Sequence, residues 1–289
     1  MNFKPMLSAS LDGIDLSTLR YPLLVSPKLD GLRCIVHEGV AYSRNAKPFR
    51  NRFVQKWAAN HHGLDGELIV GSPTEGQVLE RSKAVTAFDG EPDFRFHLFD
   101  AYEHGGTFEE RLEHVQQNHY DCDRIVCVPH FRVSTRVDLR RHEEGWLAAG
   151  YEGLMARDPQ GPYKNGRSTL REGYLMKLKR FEDGEARVVE LEEAMENTNE
   201  LERDELGRAK RSHRADGLVG KGMVGVLICE DPKWGRIRVS PGTMTHAERY
   251  TLWTFPRDII GKTIHWRSFG YGAVDAPRFA RYYGIREDL

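Results

Sequence analysis

Residues 26–34, Ser-Pro-Lys-Leu-Asp-Gly-Leu-Arg-Cys, constrain this chain more than any other stretch. Short apolar runs of strand character flank it, Leu23-Leu24-Val25 before and Cys34-Ile35-Val36 after. Asp30-Gly31 is strong turn chemistry, and Pro27 interrupts a ladder just ahead of the lysine. The pattern predicts strand, tight turn, strand, with Lys28 at the lip and its amine free to enter a cleft. A lysine amine is a nucleophile only when deprotonated. Arg33, on the same side of the turn, supplies a fixed cation for an anionic substrate. Taken alone, the hexad leaves a plain surface hairpin with solvated charges as the alternative.

A length of 289 residues suggests two domains, and 39% hydrophobic with 29% charged residues describes an ordinary globular protein. No run reaches the length of a membrane span, and residues 1–10 lack the apolar core of a signal peptide, so a cytoplasmic protein without membrane contact is expected. The 4 cysteines, Cys34, Cys122, Cys127 and Cys229, form no C-x-x-C pair, which argues against a zinc site and for reduced thiols. The 12 histidines show no H-E-x-x-H spacing. With a net charge of −1, any nucleic-acid contact must come from local basic patches.

Along the chain, residues 43–51 form a Pro-interrupted basic segment carrying Arg44, Lys47 and Arg50, either a solvated loop or a phosphate-contacting rim. Helices are expected over residues 53–60, 77–88, 107–119, 138–149 and 245–255; Thr107-x-x-Glu110 and Thr245-x-x-Glu248 are capping boxes. Glu67 interrupts the apolar run of residues 64–70, and a carboxylate there needs a partner: a metal ion, a ribose hydroxyl or a structural arginine. Phe99 lies near the end of an aromatic strand. Lys177 and Lys179, two apart in a strand, face one side and point to a cationic cleft or a solvated edge. Residues 197–216 are long, polar and basic in their second half, which reads as an inserted loop. Gly220-Lys221-Gly222-Met223-Val224-Gly225 spells a dinucleotide fingerprint but opens a strand, so it is rejected as one. Short strands around one helix then suggest a five-stranded barrel of the oligonucleotide-binding (OB) kind.

KLDGLR (28–33), SRNAKPFRN (43–51), DGEL (65–68), HLFD (97–100), EGLM (152–155), YKNGRSTLREG (163–173), LMKLK (175–179) and PRFARYYGIRED (277–288) occur in that order. Together they resemble the ATP-dependent DNA ligases among the covalent nucleotidyltransferases, and in particular the minimal two-domain ligases of large algal viruses. The resemblance implies an α+β chain: a nucleotidyltransferase (adenylation) domain over residues 1–183, then a small β-barrel OB-fold domain over 184–289. A latch-like insertion would occupy about 197–217.

The implied chemistry seals 3′-hydroxyl/5′-phosphate nicks through a lysyl-AMP and a DNA-adenylate. Lys28 would be the nucleophile, with Asp30, Lys177 and Lys179 catalytic. Arg33, Glu67, Phe99, Arg167, Lys177, Arg278 and Arg286 would hold the nucleotide. Glu67 and Glu152 would serve a divalent metal. Arg44, Lys47, Arg50, Arg208, Lys210, Arg211 and Arg214 would meet DNA. ATP and Mg²⁺ (Mn²⁺ as substitute) are the implied cofactors, and nicked duplex DNA is the partner of a monomeric enzyme. Ala280-Arg281-Tyr282-Tyr283 departs from the Pro-Val-Phe that relatives often carry there. An mRNA capping guanylyltransferase, an RNA ligase and a non-catalytic nucleic-acid-binding OB module are the alternatives.

Overall fold

The computed structural model describes residues 4–75, 77–118, 124–203, 209–212, 214–268, 277 and 279–286, with the backbone alone for 201–203 and 209–210. The chain divides into two compact units, Met1–Arg180 and Phe181–Leu289. The expected boundary after residue 183 falls just inside the first long strand of the second unit, Glu182–Asn197.

The first unit is built on two five-stranded sheets. One runs, edge to edge, through Val40–Ser43, Leu32–His37, Leu64–Val70, Phe94–Asp100 and Ile125–Cys127. The other runs through Ala9–Ser10, Met176–Leu178, Leu154–Arg157, Leu23–Pro27 and Phe131–Val133.

Period-two alternation assigns the faces of each strand. In the first sheet Cys34, Val36, Leu64, Leu68, Phe94, Phe96 and Leu98 enter a core with Val54 and Trp57 of the helix Arg52–Ala58. The intervening Arg33, Asp65, Glu67 and Phe99 therefore turn to the opposite face. In the second sheet Leu23, Val25, Leu154, Ala156 and Met176 pack with Leu139 of the helix Arg136–Ala148, leaving Met155, Arg157 and Lys177 on the other face.

One expected helix forms where its capping box puts it, and another is broken. Phe108–Asn118 starts on its capping box, with the Thr107 N–H donating to Glu110 at 2.7 Å. Residues 77–88, expected as one helix, form a short α-helix, Val78–Ser82, followed by a 3₁₀ turn, Lys83–Thr86.

The second unit is an antiparallel five-stranded sheet in the order Gly235–Val239, Leu218–Asp231, Glu182–Asn197, Thr263–Ser268, Arg281–Ile285. Trp266 is buried among Val188, Leu227, Cys229 and Ile237, and its indole N–H donates to Asp231 at 2.9 Å. Among the described residues the five strands do not run round as one continuous ladder. Just past Gly235–Val239, Ser240 bridges to Arg281, with the Ser240 N–H donating to the Ala280 carbonyl and the Tyr282 N–H to that of Ser240, each at 2.9 Å, and the Thr243 N–H to that of Tyr282 at 3.2 Å. The one α-helix among this unit's described residues, His246–Thr254, carries its complete Thr245/Glu248 capping box.

Part of the segment expected as an inserted loop is strand. Glu182–Asn197 stays paired with Leu218–Asp231 out to Asn197↔Leu218, and Leu201–Arg203 then pairs with Ala209–Arg211. The rejected glycine fingerprint lies within Leu218–Asp231.

Candidate active site

A cavity of about 500 Å³ opens among the strand faces of the first unit. Lys28, Asp30, Arg33, Arg44, Glu67, Phe99, Glu152 and Lys177 all line it. The turn before Arg33 is tightly held: a Cβ on Gly31 would lie 2.6 Å from the Leu68 carbonyl oxygen and from Ile69 Cγ1. Only glycine allows that approach, which ties the Asp-Gly turn to the strand carrying Glu67. On the other side the Lys28 N–H donates to the Gly153 carbonyl at 2.8 Å, and the Glu152 N–H to the Lys28 carbonyl at 3.2 Å.

These backbone bonds set Lys28 beside Glu152, whose two carboxylate oxygens are taken by Lys28 Nζ and Lys179 Nζ. Against the pull of burial, the two ammonium groups hold the Glu152 carboxyl below its ordinary value. Lys177 stands in a cationic field. Burial first, then the charges of Lys28, Arg44 and Arg167, push its amine below the usual lysine range. A cavity of this sign attracts a polyanion.

Glu67 is the opposite case. Its side chain makes no hydrogen bond or ion pair among the described residues, and burial, with Glu152 and Asp65 adding to it, pushes its carboxyl up to about 7 despite Lys28 and Arg33. A half-buried carboxylate short of compensating charge is a fitting ligand for a hard divalent cation. Glu152 already carries a lysine ammonium on each of its oxygens.

Arg33 was expected to reach the nucleotide, but its guanidinium is engaged by Asp65. Nε donates to Oδ1 at 2.6 Å and Nη2 to Oδ2 at 2.5 Å, and Tyr163 donates to the same Oδ2 at 2.6 Å. The guanidinium carbon lies 4.9 Å from the centre of the Phe99 ring, so the pair presents a cation on an aromatic face inside the cavity.

Asp65 and Tyr163 lie inside the DGEL and YKNGRS segments, where the sequence assigned them no role; the signal was there, but their partner was not legible. Asp100, fully buried, accepts from both Arg111 and Arg157. Arg157 thus reaches the cavity lining on a buried ionic support.

Other expected residues stand apart from the lining. Lys179 does not line the cavity and meets it through Glu152. Arg167 is exposed and donates to the carbonyl of Ser8, itself a lining residue, at 2.6 Å. Lys47 and Arg50 are exposed on the segment after Arg44. In the second unit Arg286 pairs with Glu185. Arg211 donates to the carbonyls of Asn197 and Asn199 at 3.1 and 2.9 Å, so it braces the hairpin base where a DNA-facing cation was expected. Arg214 is exposed. Arg208, Arg278 and the side chain of Lys210 lie outside the described residues.

His37, His62 and Glu103 also converge, within 4.8 Å by their ligand atoms. However, His62 Nδ1 accepts the Glu38 N–H at 2.7 Å, so the neutral ring carries its proton on Nε2, facing Glu103 at 2.7 Å. That proton fills the position a metal would need, and the group is a hydrogen-bonded cluster.

Residues 5–179 match the family described as the ATP dependent DNA ligase domain, and residues 219–286 match the DNA ligase OB-like domain. The chain belongs to the ATP-dependent DNA ligase family. Its curated relatives include the DNA ligases of African swine fever virus. The Warthog/Namibia isolate is 24% identical over 241 residues, which cover 78% of this chain and 51% of that protein. The chain thus spans about half the length of the curated relatives it matches. Among solved structures, the Chlorella virus DNA ligase-adenylate superposes with a TM-score of 0.54 at 24% identity, covering 98% of this chain and 99% of that one. A Lig E DNA ligase superposes with a TM-score of 0.71 at 24% identity, covering 99% and 100%. Both show that this chain has the ligase fold.

Proposed function

We propose that this ligase-family chain seals nicks in duplex DNA with ATP, carrying AMP on Lys28. The observation that carries the reading is the Lys28–Glu152–Lys179 cluster at one wall of a cationic cavity whose other wall presents Phe99. Family membership supports it, as do curated relatives bearing the name DNA ligase and a superposed viral ligase named as its adenylate.

In the first step the neutral Lys28 amine attacks the α-phosphorus of ATP. The bond from that phosphorus to the pyrophosphate oxygen breaks, and a proton leaves the nitrogen. Lys177 and Arg44 meet the charge growing on the phosphoryl oxygens. Lys28 nitrogen then bears a phosphoryl group in place of its ammonium charge. Glu152 loses one of its two cationic partners and can take another. The second step passes AMP to the 5′-phosphate of the nick. The third displaces AMP by the 3′-hydroxyl.

A divalent ion, Mg²⁺ or Mn²⁺, fits at Glu67, joined by Glu152 once Lys28 has reacted; such an ion supplies charge neutralisation at phosphate oxygens. Asp30, beside the nucleophile, orients the lysine turn. Arg167, Arg278 and Arg286 serve the nucleotide and its leaving group. Lys47, Arg50, Arg208, Lys210 and Arg214 give electrostatic contacts to duplex phosphates, with Arg211 bracing the hairpin that carries them.

The adenylation domain ends near residue 183, and the OB domain follows as the DNA-engaging half of a monomer. A cytoplasmic site of action is supported by Cys34, Cys127 and Cys229 all being free thiols. No helix among the described residues is long and apolar enough to cross a membrane.

The test is direct. Incubation with labelled ATP and a divalent salt, followed by denaturing electrophoresis, should show an acid-labile AMP adduct that maps to Lys28, and a nicked duplex should be sealed. An adduct at another lysine, or one formed with GTP alone, would favour a capping guanylyltransferase or an unrelated enzyme.

A further inference from the structure

The lining of the cavity carries two kinds of group. Lys28, Glu67, Glu152 and Lys177 are ionic, whereas Phe99, Val128, His130 and Met155 offer aromatic and apolar surface. Two guanidinium groups stand over the Phe99 ring, Arg33 at 4.9 Å and Arg157 at 5.6 Å. A nucleotide whose α-phosphate meets Lys28 would lay its base on the Phe99 surface.

His130 is a lining group whose hydrogen-bonding state the geometry fixes. Its Nδ1 lies 2.9 Å from the carbonyl oxygen of Val128. A carbonyl only accepts, so Nδ1 carries the ring proton and Nε2 is left with its lone pair. Nε2 takes no hydrogen bond from any described residue. The ring stays neutral: burial first, and then the neighbouring Arg157 charge, push it down to about 3, with the Val128 bond and Asp100 opposing. An edge contact with Phe108, at 5.3 Å between ring centres, holds the imidazole in place.

We infer that His130 Nε2 accepts a hydrogen bond from the 6-amino group of adenine and so selects ATP against 6-oxo purine nucleotides. Guanine and hypoxanthine present a carbonyl oxygen at that position. Two acceptors then face each other, and each is left without its partner in a partly dehydrated site. His130 is thus a specificity-determining residue, and the inference rests on the ligase reading above.

The experiment measures the rate of lysyl-nucleotide formation with ATP, ITP and GTP, each with Mg²⁺, for the wild type and for His130→Leu and His130→Gln. ITP keeps the purine ring system and replaces the amino group by an oxo group. The wild type should prefer ATP. The ATP-to-ITP ratio should fall about tenfold in His130→Leu, the scale of one missing hydrogen bond plus a relieved acceptor clash. It should fall by less in His130→Gln, whose amide offers both an acceptor and a donor. A packing role against Phe108 would instead slow all three nucleotides together and leave the ratio unmoved, which would overturn the inference. If His130→Leu melts too low to assay, the His130→Gln ratio decides by the same criterion. An adduct with an unmoved ratio sinks this inference alone, whereas a wild type that forms no adduct with any nucleotide sinks the ligase reading with it.

Discussion

Lys28 and Glu152 stand 124 residues apart in the chain, yet Lys28 Nζ donates directly to the Glu152 carboxylate. Two backbone hydrogen bonds between the same segments hold the pair, so a change to either side chain leaves the local backbone intact. Lys28→Arg keeps the cation and the contact with Glu152 but cannot serve as a neutral nucleophile. It should fold with a melting temperature close to wild type and form no AMP adduct. An adduct on the arginine variant would move the nucleophile elsewhere.

Glu152→Gln leaves Lys28 and Lys179 facing each other without the anion between them. Adenylation should fall by about two orders of magnitude, a range typical of losing a charge aimed at the reacting groups. The carboxyl's folded value lies below its ordinary one, so its stabilisation is present above that ordinary value and is lost as pH falls through the folded one. Wild type and Glu152→Gln should therefore differ in stability at neutral pH and converge in strongly acidic buffer. Parallel melting curves across that range would contradict this.

Glu67 titrates in the other direction. Its folded value of about 7 exceeds the ordinary 4.5, so the folded state keeps a proton that the unfolded chain has released. Stability attributable to this group is full below the ordinary value and is lost as pH rises toward and past 7. Glu67→Gln, tested without divalent metal, should raise stability at pH 8 by at most about 3 kcal/mol. Mg²⁺ should stabilise the wild type more than the variant, and ligation should be largely abolished in the variant. Equal Mg²⁺ effects on the two melting temperatures would remove Glu67 as a ligand.

Asp100 is fully buried and accepts from two guanidinium groups, Arg111 and Arg157. Asp100→Asn leaves two buried cations sharing one neutral amide. The cost should be about 3–5 kcal/mol, as for breaking other buried ion pairs, read by urea or thermal unfolding. A variant within about 1 kcal/mol of wild type would mean that water or rearrangement replaces the carboxylate.

The hairpin of the second unit separates DNA engagement from nucleotide chemistry. Thr198 N–H donates to the Gly217 carbonyl at 2.8 Å, so replacing residues 199–214 by a short Gly/Ser linker keeps the long strands paired below it. Affinity for nicked duplex should fall, and the dependence of log affinity on log salt should flatten by about 0.9 for each DNA phosphate that the shortened protein no longer neutralises. Adduct formation at Lys28 should persist. Unchanged affinity and slope would leave the hairpin as a structural extension only.

The sequence alone determined whatever depends on neighbours in the chain. Both capping boxes, the strands on either side of Asp30-Gly31 and the alternation that turns Lys177 toward the cavity follow from spacings of one to four residues; the expected tight turn is instead a bend at Gly31 that links two different sheets. The motif order was legible for the same reason: each segment packs its chemistry into a few consecutive positions. Tertiary structure decided who meets whom. Arg33 is claimed by Asp65, which also accepts from Tyr163, Glu152 is shared by two lysines, and His130 lines the same cavity as Lys28. Each of these depends on sheet register and on segments brought together from far along the chain. The extended hairpin was illegible for another physical reason. Residues 192–197 and 218–222 are paired as strands with no buried side chain, so they lack the apolar alternation by which a strand announces itself. Backbone hydrogen bonding to a partner 21 residues away in the chain, as at Asn197↔Leu218, made them strands, and side-chain chemistry carries no record of it.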